Sequence, residues 1–281
     1  MRGVFRVNPM EVWAVPVALF AVPPHAGLAA LVRSLVVLAA VAACPVPASA
    51  EVEVDVELVL AVDISQSMDE EEQRVQRQGY VAALKSKEVS EAIAEGINGK
   101  VAVAYVEWGG AAEQFVVADW QVLDGPQAAA SFAERLAKAP LRTVQRTSIS
   151  AALVFAADLF DGNGLDGYRR VIDISGDGPN NQGGPVTESR DAILARGVVV
   201  NGLPLMMNAS GSWYHLPNLD HYYEDCVIGG PGSFLIPVRG LDGFADAIRR
   251  KLVLEIAGRD TGPARVVPVA ARPPVACNMY D

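Results

Sequence analysis

From residue 55 onward, apolar runs of strand length alternate with segments of helical periodicity. The run "VELVLAVD" (56–63) is rich in β-branched residues and leucine, whereas "DEEEQRVQRQGYVAALKS" (69–86) places its apolar residues on one helical stripe with acids in the first turn. Repeated strand–helix units of this kind connect parallel strands through right-handed crossovers. The sequence therefore predicts an α/β fold with a doubly wound, mostly parallel central sheet and helices on both faces.

The later segments continue this alternation. Further strands are predicted at 99–110, 113–123, 169–178, 198–206 and 233–238. Of these, the segment 113–123 is predicted to lie at an edge of the sheet or in a hairpin. Further helices are predicted at 88–97, 125–140, 148–162, 186–197 and 241–258. We interpret 207–232 as a long loop and 259–281 as a C-terminal tail, which leaves 51–258 as one domain.

The first fifty residues have the features of an export signal. Arg33 precedes the apolar segment "SLVVLAAVAAC", and "ASA" (48–50) supplies a small-x-small cleavage site. The apolar segment is too short to span a bilayer as a helix. We therefore expect removal of residues 1–50 and an exported chain, periplasmic or secreted, with no membrane span after cleavage. The alternative is a lipoprotein anchored at Cys44, which follows small residues in a lipobox-like order.

The chain is acidic, with 23 Lys and Arg against 33 Asp and Glu, a net charge of −10. A chain of this charge lacks the basic surface that nucleic acids or anionic membranes require. We therefore expect neither as a partner.

Removal of residues 1–50 would leave two cysteines, Cys226 and Cys277. In an oxidising compartment a pair of cysteines is more often bridged than free. We expect a disulfide that attaches the tail to the long loop, with two free thiols as the alternative.

Hydroxyl and carboxylate side chains lie at the ends of two of the predicted strands and before one of the predicted helices. Asp63, Ser65 and Ser67 form D-x-S-x-S as the first strand ends, and alternate residues leaving a strand point to one side. Thr147 stands just before the helix 148–162, and Asp177 ends the strand 169–178. Ligands of open α/β sheets bind outside the carboxyl ends of the strands. The sequence therefore predicts that these five side chains meet at one edge of the sheet.

The chemistry of this set is entirely oxygen, which suits a hard divalent cation such as Mg²⁺, with Mn²⁺ or Ca²⁺ as alternatives. A competing interpretation of the motif is local. "SMDE" (67–70) has the form of a capping box, in which Ser67 would cap the following helix and Glu70 would reach back. The placement of the motif at a strand end, together with Thr147 and Asp177, favours the metal site.

These residues resemble the metal-ion-dependent adhesion site of von Willebrand factor A domains. More narrowly, the segments "VLAVDISQSM", "VAYVEW", "VIDISGDGPNN" and "DCVIGGPG" resemble an exported bacterial family catalogued as domain of unknown function 1194, over roughly residues 55–257. The resemblance implies that Ser65 and Ser67 coordinate directly, that Thr147, Asp63 and Asp177 do so directly or through water, and that a partner's acidic group completes the shell. The chain departs from the pattern in "GDGPNN" and in "QRTSIS", where a glycine often precedes the threonine.

Three classes of function remain open. The first is a non-enzymatic binding or adhesion module that captures a protein partner through an Asp or Glu side chain. The second is a Mg²⁺-dependent phosphoryl-transfer enzyme, which typically needs a second acid two residues after Asp63, where this chain has Ser65. The third is a metal-free structural domain, which leaves the five oxygen ligands unexplained. The binding module is the function we expect.

Overall fold

The computed structural model, which describes residues 50–206, 216–258 and 272–278, is built around a five-stranded sheet. The strands, in chain order, are β1 (Val52–Val54), β2 (Val56–Asp63), β3 (Val101–Trp108), β4 (Gln114–Leu123), β5 (Leu165–Gly167), β6 (Arg170–Gly176) and β7 (Val198–Pro204). The large sheet has the order β4-β3-β2-β6-β7, and β4 is its antiparallel edge strand. This arrangement confirms the predicted fold class.

Helices cover both faces of the sheet. They are α1 (Glu70–Leu84), α2 (Lys87–Ala94), α3 (Pro126–Lys138), α4 (Ile149–Asp158), α5 (Val186–Ala195), α6 (Leu219–Tyr222) and α7 (Phe244–Ala257). A π-helical turn (Tyr223–Val227) continues α6, and a 3-10 turn (Leu241–Gly243) precedes α7.

The central strand β2 divides its side chains between two apolar cores. Leu58 and Leu60 pack with α1, α2, α3 and α7, whereas Val59 and Ala61 pack with α4, α5 and the α6 region. All eight residues of β2 are buried, because a strand covered on both faces exposes neither set of alternating side chains. The apolar run 58–62 of this strand has this physical origin.

The predicted strand 233–238 does not form a continuous strand. The segment lies parallel to β7 and makes two isolated bridges, Gly202 to Leu235 and Leu205 to Val238. The Gly202 amide donates to the Phe234 carbonyl at 3.0 Å. The next hydrogen bond from β7 is missing, because Pro204 has no N–H to donate. The prediction of a strand was therefore wrong in extent, although the segment does lie alongside β7.

Two further features differ from the prediction. The small parallel sheet of β1 and β5 was not anticipated, and the interval 207–232 contains α6 and the π-helical turn rather than loop alone. Residues 207–215 lie outside the described part of the chain, as do the expected signal with Cys44 and most of the expected tail. Among the described helices, none combines the length and apolar character needed to cross a membrane.

A disulfide joins Cys226 in the π-helical turn to Cys277. Polar contacts reinforce this attachment, because Arg272 pairs with Asp225 at 2.6 Å and the Val275 amide donates to the same carboxylate at 2.8 Å. The described part of the tail is thus held against the end of the α6 region.

A buried ionic cluster joins β6 and β7 to α7. The Lys251 ammonium lies 2.6 Å from the Asp173 carboxylate and also pairs with Glu255, which accepts a hydrogen bond from Asn201 at 3.2 Å. All four side chains are at most 3% exposed. Asp173 therefore makes a structural ion pair with α7.

This cluster predicts a pH-dependent stability. Burial, followed by the charge of Asp173, raises the pKa of Glu255 to about 8 from an ordinary value of 4.5. Burial also raises the pKa of Asp173. Because the folded state binds these protons more tightly than the unfolded chain, stability is highest in acid and falls as the pH rises to about 8, by at most about 1.4 kcal/mol per pH unit for one group.

Urea unfolding at several pH values between about 5 and 8 tests this expectation. Glu255→Gln, which imitates the protonated form, should show a shallower loss of stability with rising pH than wild type. Glu95→Gln, at an exposed position, is the matched control and should keep the wild-type slope. An unchanged slope in Glu255→Gln would show that the cluster does not titrate in this range.

Candidate metal centre

The parallel pairing of β2 with β6 brings two carboxylates to the same edge of the sheet. Val62 is paired with Ser175, so that both strands end at one level. Asp63 is the last residue of β2, and Asp177 directly follows β6. Both aspartates are buried, with exposures of 0% and 6%.

Hydrogen bonds connect four of the five predicted ligands. Asp63 Oδ1 accepts from the Ser65 amide at 2.7 Å, which turns the chain sharply as it leaves β2. The hydroxyls of Ser65 and Ser67 lie 2.9 Å apart, and the Ser67 hydroxyl donates to Asp177 Oδ1 at 2.6 Å. The D-x-S-x-S segment and the loop after β6 therefore present their oxygens to a common centre.

Ser67 does not cap the following helix. Asp69 is the N-cap of α1: its carboxylate accepts from the Glu72 amide at 2.8 Å, and Glu72 in turn accepts from the Asp69 amide at 2.9 Å. The capping interpretation of residues 67–70 was therefore wrong by two positions. Because the cap is supplied by Asp69, the Ser67 hydroxyl is left for the centre.

Two asparagines attach the loop that carries Thr147 to the loop after β6. The Thr147 amide donates to Asn181 Oδ1 at 2.9 Å, and the Asn181 amide donates to the Thr147 carbonyl at 2.8 Å. Asn180 accepts from the Ser150 amide at 3.0 Å and donates its own amide to the Tyr222 hydroxyl at 3.2 Å. The segment "GDGPNN", which differs from the adhesion-site pattern, thus links the loop that carries Thr147 to the loop that carries Asp177. Thr147 is buried beside the loop that carries Asp177.

The electrostatics of the pair of aspartates are unfavourable without a cation. Burial, followed by the charge of Asp177, raises the pKa of Asp63 well above its ordinary value, against the opposing hydrogen bonds from Ser65 and from the Asp177 backbone. Asp63 Oδ2 is buried and has no hydrogen-bond donor among the described residues. A buried carboxylate oxygen in this condition costs free energy unless a cation, or water bound to one, satisfies it.

Tyr223 is a neighbour of the site that the sequence did not reveal. A methyl group in place of the Gly176 hydrogen would lie 2.9 Å from both Asp63 Oδ2 and the Tyr223 hydroxyl, so that Gly176 leaves room for both groups. Burial raises the pKa of Tyr223, with the charge of Asp63 adding to the effect, and the phenol remains a donor. Its position in a π-helical turn has no periodic signal in the sequence, although such turns are frequent at functional sites.

The donor set fits a hard divalent ion. It consists of two carboxylates and three hydroxyls, and no group of three or more His, Cys, Asp or Glu side chains suited to a metal occurs among residues 50–206, 216–258 and 272–278. Mg²⁺ usually binds through one or two carboxylates and keeps positions for water or for a ligand from elsewhere. The assignment of all five residues as ligands stays a prediction, since the hydrogen-bond network alone does not establish coordination.

The fold is that of a von Willebrand factor A-like domain. The chain belongs to the family described as Protein of unknown function (DUF1194), whose model matches residues 53–260. No curated protein matches the sequence.

Several solved structures have a similar fold at low sequence identity. Proximal thread matrix protein 1 from the mussel byssus is 14% identical with a TM-score of 0.53, over 74% of this chain and 49% of that chain. The pilus adhesin SpaC from Lactobacillus rhamnosus GG is 13% identical with a TM-score of 0.53, over 72% and 30% respectively. A von Willebrand factor type A protein from Catenulispora acidiphila is 16% identical with a TM-score of 0.47, over 73% and 43%. This chain therefore spans about half or less of these proteins.

Because Asp69 caps α1 whereas Ser67 bonds Asp177, alanine at each of these two positions should affect the free energy of unfolding for a different reason. Asp69→Ala should lower the free energy of unfolding by about 1 kcal/mol, because it removes the helix cap. Ser67→Ala leaves the cap intact and removes the hydrogen bond to Asp177, so that its cost should largely disappear when Asp177 is replaced by alanine as well, whereas the cost of Asp69→Ala should not. Urea unfolding in the presence of chelator measures these variants without a contribution from metal. An equal cost of Ser67→Ala in the presence and absence of Asp177 would contradict the assignment.

Proposed function

We propose that the protein is an exported, metal-dependent binding module. One divalent cation, Mg²⁺ by preference and Mn²⁺ or Ca²⁺ as alternatives, is held by Asp63, Ser65, Ser67, Thr147 and Asp177. The observation that carries this proposal is the hydrogen-bonded chain from Ser65 through Ser67 to Asp177, with the buried carboxylate of Asp63 beside it. These oxygens come from loops that are far apart in the sequence. None of the contacts described above gives another reason for them to lie close together.

The charge of the site supports a carboxylate as the group that the partner contributes. Two carboxylates at best neutralise a divalent ion, and three hydroxyls add no charge. An ion whose carboxylates act partly through water remains electrophilic and attracts an anionic ligand. We therefore propose that an Asp or Glu side chain of a protein partner completes the coordination shell.

The donor set favours binding over catalysis. A phosphoryl-transfer site built on Asp63 would be expected to carry a second acid at position 65, which is Ser65 here. A metal-free structural role would leave Asp63 Oδ2 buried and without a donor among the described residues. One protein of similar fold is a pilus adhesin, which is compatible with a binding role, and the disulfide is compatible with export.

Metal binding is the first test. Calorimetry with Mg²⁺ and Mn²⁺ should find one site per chain in the wild type and a loss of affinity of at least about 100-fold in Asp63→Ala, since a buried ligand is removed. Asp69→Ala removes a nearby carboxylate outside the site and should bind metal as the wild type does. Equal binding by the wild type and Asp63→Ala would refute the site as drawn.

Capture of a partner is the second test. The chain from Glu51 onward, immobilised and exposed to periplasmic extract, should retain a partner with Mg²⁺ present and release it on addition of chelator. The acidic domain repels an anionic partner at long range, so that the retained complex should depend on the metal contact and respond only mildly to salt. Asp177→Ala should lose the partner, and Asp69→Ala should keep it. A partner that survives both chelator and Asp177→Ala would mean that the metal does not mediate binding.

A further inference from the structure

Arg146 adopts a backbone conformation that normally belongs to glycine. Its φ is 68°, and it is the single non-glycine residue with positive φ among the described ranges 50–206, 216–258 and 272–278. A side chain in this region costs free energy that glycine avoids. Arg146 directly precedes Thr147, one of the proposed metal ligands, at the position where related adhesion sites often have glycine.

The surrounding backbone imposes this conformation. On one side of Arg146, the Val144 amide donates to the Ile64 carbonyl at 3.0 Å; on the other, the Ser148 amide donates to the Gly109 carbonyl at 2.7 Å. The segment lies closely against Gly109, where a methyl group would approach Val144 Cγ2 to 2.0 Å. The loop therefore requires positive φ at position 146 whichever residue occupies it, and arginine does not improve the fit.

The Arg146 side chain has no structural role in the described molecule. It is exposed and makes no hydrogen bond or ion pair with another described residue. The other described arginines, with the exception of Arg250 on α7, each donate to or pair with an oxygen of the protein. A guanidinium without a partner among the described residues is therefore unusual in this acidic chain, and this one belongs to the residue directly before Thr147.

We infer that Arg146 is a second anchor for the partner and that the partner presents two carboxylates close together. The inference rests on the proposed function, in which the first carboxylate ligates the metal. The second pairs with the Arg146 guanidinium, which stays charged at any physiological pH and binds a carboxylate through two parallel hydrogen bonds. Acidic residues two positions apart in an extended segment point to the same side and are separated by about 7 Å along the chain, so that both carboxylates can face one site. The site thus selects an acidic peptide segment over an isolated acid.

Two peptides and Mn²⁺-loaded full-length protein test this inference. The probes are acetyl-Gly-Asp-Gly-Asp-Gly-amide and the same peptide with Asn in place of the second Asp. Paramagnetic broadening of their proton signals by bound Mn²⁺ reports binding even when affinity is weak. The wild type should prefer the two-acid peptide by about two- to fivefold, the range of an exposed ion pair.

Arg146→Gly should abolish this preference while it retains Mn²⁺ affinity and relieves the backbone strain. Arg250→Ala removes from α7 an exposed charge that pairs with no other described residue, and it should keep the preference. An equal preference in Arg146→Gly and wild type would overturn the role of Arg146 and leave the metal-dependent function intact. A loss of Mn²⁺ binding in Arg146→Gly would assign Arg146 to the architecture of the site and also overturn the inference. Failure of the wild type to bind Mn²⁺ would refute the proposed function itself, a result that the metal titration distinguishes from the other two.

Discussion

The hydrogen bond from Ser67 to Asp177 joins two loops that are 110 residues apart in the chain, and the site depends on it. It can form because β2 and β6 are adjacent, parallel and in register up to their carboxyl ends. In a sheet with these strands separated, the same residues would lie on different edges or at different levels. The site therefore depends on the order of the strands in the sheet as well as on the D-x-S-x-S motif.

The loop between β2 and α1 is fixed at both ends before any ion binds. At its start Asp63 accepts from the Ser65 amide, and at its end Gln73 donates from α1 to the Met68 carbonyl at 3.3 Å and to Thr143 at 3.0 Å. Side chains held in this way lose little further conformational freedom on binding a ligand, which is the physical meaning of a preorganised site. The asparagine pairs between the other two loops act in the same manner on Thr147.

The sequence predicted the sheet, and it placed Asp63 and Asp177 at one edge of that sheet, because both features follow from local patterns. Strand-length apolar runs identify β2 and β6, and the rule for strand ends then selects Asp63 and Asp177. The remaining features depend on contacts between distant segments. The sequence offered Ser67 as a possible cap of α1, whereas the observed geometry shows that Asp69 is the cap. The segment 233–238 is interrupted as a strand because its partner Pro204 has no N–H. Tyr223 comes near Asp63 because of a π-helical turn, and no periodic pattern in the sequence predicts that turn.

Asp63 and Asp173 are buried carboxylates on the neighbouring strands β2 and β6, and their surroundings differ. Asp173 is paired with Lys251, which α7 inserts into the core. No lysine or arginine ion-pairs with Asp63 in the described part of the chain, and the charges acting on it come from another acid. A lysine at that position would neutralise the site permanently and would offer no coordination position to another molecule. A metal ion neutralises the same charge, can be removed by a chelator and accepts a ligand from outside. Among the described residues Asp63 thus has no basic side chain as counter-ion, whereas Asp173 has Lys251, and this difference is the one that the proposed metal-dependent binding site needs.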